Sequence, residues 1–240
     1  MTHRTMYEAW LEMPSDVHTR TDATPIDWAP LPETTILDGE YVIREARNTP
    51  EELAQAAEVY ASGFPALRGC DFELLFRPEG FPIFLGEGAA FNKGNNFMLV
   101  VEHVATQKLA CCLISSLAKM LRRGEHLVIA SHVDHQEKGL GREILRASDQ
   151  LFERSGVEMA FGWCAAMHTV TQTILIEMGY TPRAVIPGLY RLWAGGDQYR
   201  RTVEVFMQKF FGEAEKMCTQ ELHLLPEVEK LLVRWRQDVL

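Results

Sequence analysis

The chain has 240 residues, of which 47% are apolar and 24% charged, and its formal net charge is −9. This length and composition allow one substantial buried core. No stretch approaches the roughly 18 uninterrupted apolar residues of a membrane-spanning helix, and no basic stripe could neutralise a nucleic-acid backbone. We therefore expect a globular protein that binds neither a membrane nor a nucleic acid.

The cysteines indicate a reducing compartment. Their number is odd, their spacing is irregular, and they contain no Cys-x-x-Cys pair. This pattern favours reduced thiols over a disulfide framework or a zinc site, so we expect no bound metal. The first residues contain no apolar signal region, and the expected location is the cytoplasm. The five cysteines are Cys70, Cys111, Cys112, Cys164 and Cys218.

Both ends of the chain differ in composition from the middle. Residues 1–40 contain four prolines, eight acidic and two basic side chains, which predicts an acidic arm with at most a short helix over Met6–Met13. Because exposed tryptophan is uncommon, Trp10 and Trp28 indicate that this arm packs on the rest of the protein rather than being disordered. Residues 212–240 carry an apolar stripe at helical spacing, which is typical of core or homodimer packing. The stripe consists of Val228, Leu231, Leu232 and Trp235.

Between these ends, the apolar pattern predicts alternating strands and helices over residues 41–211. A helix begins after Thr49, because Thr49-Pro50-Glu51-Glu52 is a capping box with proline in the first turn. Residues 65–93 mix prolines with phenylalanines, and we interpret them as a loop with hydrophobic anchors, with an acceptor pocket as the alternative. One further helix is predicted to end near Ser155, and another to cover His168–Met178. The predicted strands are Tyr41–Ala46, Phe97–Val104, Leu109–Ala118, His126–Val133, Met159–Ala166, Val185–Trp193 and Thr202–Phe211.

The most informative segment is Gln136-Glu137-Lys138-Gly139-Leu140-Gly141, which joins a predicted strand to a predicted helix. Such a junction leaves several N–H groups of the helix N-terminus unpaired and directed at one point, where the helix dipole favours an anion. Gly139 and Gly141 lack a Cβ, so the backbone can approach a ligand closely. We interpret the segment as a pyrophosphate cradle, with an ordinary strand-to-helix turn as the alternative.

Two other phosphate-binding motifs are excluded. The nucleotide P-loop requires Lys-Ser or Lys-Thr after its second glycine, and Arg142-Glu143 follows here. The dinucleotide fingerprint requires three glycines, and this segment has two.

The segment resembles the acyl-CoA-binding motif of the GNAT acetyltransferase superfamily, (Gln/Arg)-x-x-Gly-x-(Gly/Ala). The order of predicted elements is also the GNAT order, Gly179-Tyr180 resembles the family's Gly-Phe, and Val203–Lys209 resembles its closing strand, which ends in Met-x-Lys. The resemblance covers residues 41–211 and implies an α/β fold of the α+β type. Its sheet would be mixed, mostly antiparallel and of about seven strands, flanked by helices, with the arm (1–40) and the helical extension (212–240) as additions.

The resemblance implies that acetyl-CoA, or another acyl-CoA, binds as co-substrate where the fourth and fifth strands separate. Pantetheine would pair with the strand edge at Ile129–Val133, and the pyrophosphate would bind the N–H groups of the cradle. Lys138 or Arg142 would add positive charge, although Lys138 fits a solvated loop lysine equally well. His168 takes the place of the family's pantetheine-contacting asparagine. The implied acyl-CoA-binding residues are Ser131, His132, Val133, Gln136, Glu137, Lys138, Gly139, Leu140, Gly141, Arg142 and His168.

The resemblance also implies a catalytic base. In histone-type members the base carboxylate lies eleven residues before the motif's glutamine, a position that Glu125 occupies here. A carboxylate entering an apolar strand could have the raised pKa that this task needs. The alternative is that Glu125 belongs to an exposed turn, and His126, Glu102 and His103 are then the reserves.

The proton donor to the leaving thiolate is less well defined. The family's tyrosine for this role falls on Leu175, which cannot donate a proton. Tyr180, His168 or Cys164 would have to replace it, or the thiolate leaves unprotonated, and we assign Tyr180 as the second catalytic residue. A thiol acyl-enzyme on Cys164 is a further alternative, although a buried structural cysteine is the more common case.

These features together predict an acetyl-CoA-dependent N-acetyltransferase that acts on a primary amine of a small molecule. One alternative is a GNAT-fold O-acyltransferase or a transferase of another acyl group. Another is a non-catalytic acyl-CoA-binding or scaffold protein. The sequence does not name the acceptor, because a fold does not specify a substrate.

Overall fold

The computed structural model describes residues 24–218 and positions 225, 226, 228 and 229. The described residues up to Phe211 form one compact unit, and those from Gly212 onward belong to a second, which contains a 3-10 turn over Ala214–Met217. The expected helix over Met6–Met13, Trp10 and most of the expected C-terminal stripe lie outside the described residues. Within the described part of the chain, no helix is long and apolar enough to cross a membrane.

One eight-stranded sheet forms the framework of the first unit. Every neighbouring pair of strands is antiparallel except the central pair, the fifth and sixth strands, and the last two strands form a long hairpin. The strand order across the sheet is β1-β2-β3-β4-β5-β6-β8-β7. The strands are β1 Thr34–Ile36, β2 Tyr41–Glu45, β3 Asn96–His103, β4 Lys108–Ala118, β5 Arg123–Ser131, β6 Met159–Ala165, β7 Thr181–Gly195 and β8 Gln198–Phe210.

In the described part of the chain, four α-helices accompany the sheet: α1 Pro50–Gly63, α2 Phe81–Leu85, α3 Leu140–Arg154 and α4 Val170–Glu177. Helix α1 begins as predicted, because the Thr49 hydroxyl accepts a hydrogen bond from the Glu52 N–H at 3.3 Å. Helix α4 begins two residues later than predicted, and the side chain of Gln172 donates to the carbonyl of His168 at 2.9 Å. The predicted α/β class and mostly antiparallel sheet are confirmed, with β1 as an additional strand.

Both faces of the sheet are buried at β3 and β4, which explains why these two strands are largely apolar on both faces. Successive side chains of a strand point to opposite faces, so Met98 and Val100 of β3 pack with α1 while Leu99 and Val101 pack with α3. All four of these side chains are fully buried. The sheet is therefore the middle layer between two hydrophobic cores.

Part of the expected N-terminal arm packs on the α3 core. Strand β1 pairs antiparallel with β2, and the indole N–H of Trp28 donates to the carbonyl of Gly94 at 3.1 Å. The Trp28 ring lies 5.2 Å from Phe97 and 6.0 Å from Phe152, measured between ring centroids. Residues 24–40 are thus integrated into the same compact unit as the sheet.

Residues 65–93 fold into short 3-10 turns and α2, and they cover the α1 side of the sheet. Leu67, Leu75, Phe81 and Leu85 are buried in the α1 core, as expected for a loop with hydrophobic anchors. The same segment also contributes side chains to a cleft described below, so the two interpretations of its sequence are compatible.

Candidate active site

A cleft of about 960 Å³ opens where β5 and β6 separate. The two strands pair in parallel only from Arg123–His126 with Met159–Gly162, and then diverge. At the same level the register between β4 and β5 shifts, so that Leu127 has no residue opposite it on β4. Such a bulge bends its strand. Past His126, β5 has no partner strand on the cleft side of the described sheet, and its edge is open to an extended ligand.

The mouth of the cleft is formed by the segment that joins β5 to α3. Gly139 is the N-cap of α3 with φ of 81°, and its carbonyl accepts from the N–H groups of Arg142 and Glu143 at 3.0 and 3.3 Å. Within the described chain, the N–H groups of Gly139, Leu140 and Gly141 donate to no backbone or side-chain acceptor. A Cβ on Gly139 would meet nothing within 4 Å, and one on Gly141 would meet only Ile129, at 3.7 Å. Free donors therefore border open space at the N-terminus of α3.

The two predicted cations of this segment point in different directions. Arg142 lines the cleft and pairs with Glu177 at 2.9 Å. Lys138 does not line it, because its ammonium group donates to the Tyr41 hydroxyl at 2.9 Å and to Glu40 at 3.4 Å. Of the two, Arg142 is the one placed to add charge beside a bound phosphate.

The remaining predicted acyl-CoA-binding residues divide in the same way. Ser131 and His168 line the cleft, as do the cradle residues Gln136, Glu137 and Leu140. His132 and Val133 do not: the His132 N–H donates to the Ala110 carbonyl at 2.8 Å, and Val133 is 54% exposed.

Glu125 lies at the last stretch where β5 and β6 are paired, opposite Phe161. Its neighbour His126 points to the α3 side, so the Glu125 side chain points to the α1 side. Burial raises the pKa of this half-buried carboxyl, although the charge of Arg123 opposes the shift. The Glu125 side chain does not line the cleft. Tyr190 does line it, and the charge of Glu125 adds to the effect of burial in raising the pKa of that phenol.

Tyr180 belongs to a buried polar network rather than to the cleft wall. Its hydroxyl donates to Asp149 at 2.6 Å and lies 2.9 Å from Nε2 of His126, while Lys209 donates to the other oxygen of Asp149 at 2.7 Å. Burial, together with the charge of Asp149, raises the pKa of Tyr180 well above its usual range. Burial opposes ionisation of Asp149, but the hydrogen bonds and charge of its partners lower its pKa overall. His126 is the member of this network that lines the cleft.

Comparison with known proteins identifies the architecture. No family model and no curated protein matches the chain. Among solved structures, it resembles the ribosomal-protein-S5-alanine acetyltransferase from Vibrio fischeri, with 12% identity over 74% of this chain and 96% of that one and a TM-score of 0.58. It also resembles a GNAT-family acetyltransferase from Streptococcus pneumoniae, with 18% identity over 72% and 100% and a TM-score of 0.56. The chain has the GNAT fold.

A third GNAT structure carries a ligand. The family member from Elizabethkingia anophelis has acetyl-CoA bound, and it matches with 9% identity over 72% of this chain and 99% of that one at a TM-score of 0.50. Identities this low establish the common GNAT fold, and the chemistry has to be argued from the site itself.

Glu102 and His103 do not line the cleft, and the Cys164 thiol is not readily ionised. Glu102 bonds to Arg44 at 3.0 Å, and Arg44 is held on its other side by both oxygens of Glu52 at 2.8 Å. His103 is 2.8 Å from the Thr106 hydroxyl. Cys164 does line the cleft, but burial and the charge of Glu204 raise the pKa of its thiol to about 12, which disfavours a thiolate nucleophile.

Sequence reasoning missed the far end of the cleft, which lies between the β7–β8 hairpin and residues 65–93. Glu204 on β8 lines this end although it is only 3% exposed. The alternating pattern of Val203–Lys209 showed which residues share a face of the strand, but not that this face borders a cleft. The apolar and aromatic residues around Glu204 at this end are Phe64, Leu67, Phe72, Trp163, Tyr190 and Leu192.

Proposed function

We propose that the protein is an acetyl-CoA-dependent N-acetyltransferase that acetylates a primary amine of a small molecule. The observation that carries this proposal is the row of free N–H donors over Gly139–Gly141, at the mouth of the β5–β6 cleft. Such an array suits a pyrophosphate, and the GNAT fold and the open β5 edge support the same ligand.

In this proposal, acetyl-CoA supplies an activated acetyl thioester, and the chain supplies its binding surface. The N–H groups of the cradle hold the pyrophosphate, with Arg142 adding charge. The β5 edge over residues 127–131 pairs with pantetheine, and His168 lies on the cleft wall where it can donate a hydrogen bond. His132, Val133 and Lys138 would contribute through the path of the backbone, since their side chains do not line the cleft.

Glu125 is the proposed general base. An amine attacks in its neutral form, so a nearby group has to accept its proton, directly or through one water. The raised pKa of Glu125 brings its basicity closer to neutral pH. The Tyr190 phenol does not compete for this role, since burial and the charge of Glu125 raise its pKa to about 12 and it stays protonated.

Tyr180 is proposed as a positioning residue rather than as the direct proton donor. Its hydroxyl and Asp149 both contact Nε2 of His126, and they fix the orientation of that ring at the cleft wall. Because both ring nitrogens of His126 have partners in this network, Nε2 with Tyr180 and Asp149 and Nδ1 with Ser148, no proton donor is assigned to the leaving thiolate, which departs unprotonated in this proposal.

The function is tested by incubating the protein with acetyl-CoA and an acceptor panel while following thiol release and acetylated product. The panel contains primary alkylamines, alcohols of matched length and a peptide with N-terminal alanine, the residue acetylated by the Vibrio fischeri neighbour. Acetylated alkylamine is the expected product. Ester formation would indicate O-acyl transfer, peptide acetylation alone would contradict a small-molecule acceptor, and acetyl-CoA binding without product would indicate a non-catalytic protein.

A further inference from the structure

The acceptor end of the cleft contains a buried carboxylate that the proposed reaction does not use. Glu204 lies opposite Ala165 of β6, and it shares one face of β8 with Phe206, two residues further along. The Phe206 ring is 4.7 Å from that of Trp163, measured between centroids, and Trp163 also lines the cleft. The carboxylate therefore stands beside an aromatic surface inside the cleft.

This carboxylate has an incomplete set of partners. The Thr202 hydroxyl donates to Oε1 of Glu204 at 2.5 Å, and no other described residue hydrogen-bonds to the carboxylate. No lysine or arginine in the described part of the chain forms an ion pair with it. Burial raises its pKa, and the Thr202 hydrogen bond and the charge of His168 only partly oppose this shift. Carboxylates this deeply buried are normally paired with a cation, because burial of an unpaired charge is costly.

A second carboxylate borders the same region. The charges of Glu125 and Glu204 both act on the Tyr190 phenol, which lies on the cleft wall. Glu125 lies opposite Phe161 of β6 and Glu204 opposite Ala165. The two carboxylate residues are therefore four residues apart along the strand direction, about 13 Å, and two strand spacings apart across the sheet, about 10 Å. Aromatic rings lie between the two carboxylates, and such rings attract cations over their faces.

We propose that the acetylated amine belongs to a molecule with a second cationic group, and that Glu204 binds this group at the far end of the acceptor site. This inference rests on the proposed N-acetyltransferase function. Glu125 serves the reacting amine, Glu204 and the Trp163–Phe206 surface hold the distant cation, and apolar side chains such as Leu67 and Phe72 contact the spacer. The substrate class is a diamine with an apolar spacer.

The wild-type protein tests the inference without any substitution. Its acetylation kinetics are measured with α,ω-diamines of four to ten carbons, with the monoamines of equal length and with the corresponding ω-amino acids. These acceptors differ only in a positive, neutral or negative far end. At the best length, kcat/KM for the diamine should exceed that for the monoamine about tenfold or more, as expected of a charge-assisted contact, and the amino acid should be poorest. Equal values for all three, or a preference for the amino acid, would overturn the inference.

A variant then assigns the preference to Glu204. In Glu204→Gln the ratio of kcat/KM between diamine and monoamine should fall about tenfold, whereas the control Glu153→Gln, an exposed carboxylate at the end of α3, should keep the wild-type ratio. Acetyl-CoA affinity checks that the variant is folded. If the variant misfolds, the wild-type kinetics with diamines, monoamines and amino acids alone test the inference. A ratio unchanged in Glu204→Gln would overturn the role of Glu204. Wild-type protein that acetylates no amine at all would instead contradict the proposed function.

Discussion

At the scale of single residues, the carboxylates of the sheet and its helices lie in different environments, and these environments decide which of them can act as a base. Glu125 is half-buried and has a raised pKa, whereas Asp149 is buried, ionised and surrounded by His126, Tyr180 and Lys209. Glu52 and Glu102 pair with Arg44 of β2, a strand that β3 and β4 separate from β5. Among these four carboxylates, Glu125 is the one with a raised pKa and without an ion pair in the described part of the chain, which favours it as the base.

Replacing Glu125 with glutamine should lower kcat by about 100-fold at neutral pH, the usual contribution of a general base, while acetyl-CoA affinity is retained. In the wild type, kcat should fall as the pH decreases through the pKa of Glu125, which lies above the ordinary value of 4.5. This acid limb should disappear in the variant. Steady-state kinetics across pH, with Glu153→Gln as control, measure both effects, and an unaltered rate and pH profile would shift the base to His126.

At the scale of secondary-structure elements, the contact between α1 and β5 shapes the cleft wall. Gly63, the last residue of α1, lies against the backbone of Ser131, such that a Cβ would stand 2.0 Å from the Ser131 carbonyl oxygen. The glycine is required by this close approach, since it lets α1 end directly on the β5 edge that lines the cleft.

The variant Gly63→Ala should therefore displace β5 and lower the free energy of unfolding by about 1–3 kcal/mol, the usual cost of overpacking. Because the displaced edge is the proposed pantetheine-binding edge, acetyl-CoA affinity should fall as well. Denaturant unfolding and calorimetric titration measure the two effects. Gly94→Ala, where a Cβ meets nothing within 4 Å, is the matched control, and a Gly63 variant indistinguishable from it would refute the close contact.

Local patterns in the sequence predicted most elements, and long-range pairing explains what they missed. The capping box at Thr49 and the glycines at the start of α3 act within a few residues, so the corresponding helix starts could be predicted. Strand β1 has only three residues and follows several prolines, and it exists because β2 offers it an edge. The cleft-facing position of Glu204 depends on β8 lying beside β6, a pairing that no local pattern reveals.

At the scale of the whole molecule, the position of the cleft follows from one parallel strand pair within an otherwise antiparallel sheet. A parallel pair requires a crossover connection, and α3 provides it between β5 and β6. The crossover places the N-terminus of α3 at the carboxyl end of β5, where open α/β sheets commonly bind ligands. The cradle and the separation of the strands are therefore two results of the same topology.

The segment before β1 stabilises this framework from the α3 side. Trp28→Ala should lower the free energy of unfolding by about 3 kcal/mol, because it removes the contacts with Phe97 and Phe152 and the hydrogen bond to Gly94. Acetyl-CoA affinity should not change, since Trp28 does not line the cleft. Thermal or denaturant unfolding checks the first expectation. An unaltered free energy of unfolding would show that the Trp28 contacts of residues 24–40 do not stabilise the fold.

The central claim is that the segment from Gln136 to Gly141 holds the pyrophosphate of an acyl-CoA. Gly141 lies in the first turn of α3 with open space above it, so leucine there keeps the helix but fills that space. The decisive measurement is a calorimetric titration of acetyl-CoA into the wild type, Gly141→Leu and the control Gly94→Leu. The wild type and the control should bind alike, and Gly141→Leu should bind about tenfold more weakly or not at all. Equal affinity in all three proteins, or no binding by the wild type, would contradict the assignment.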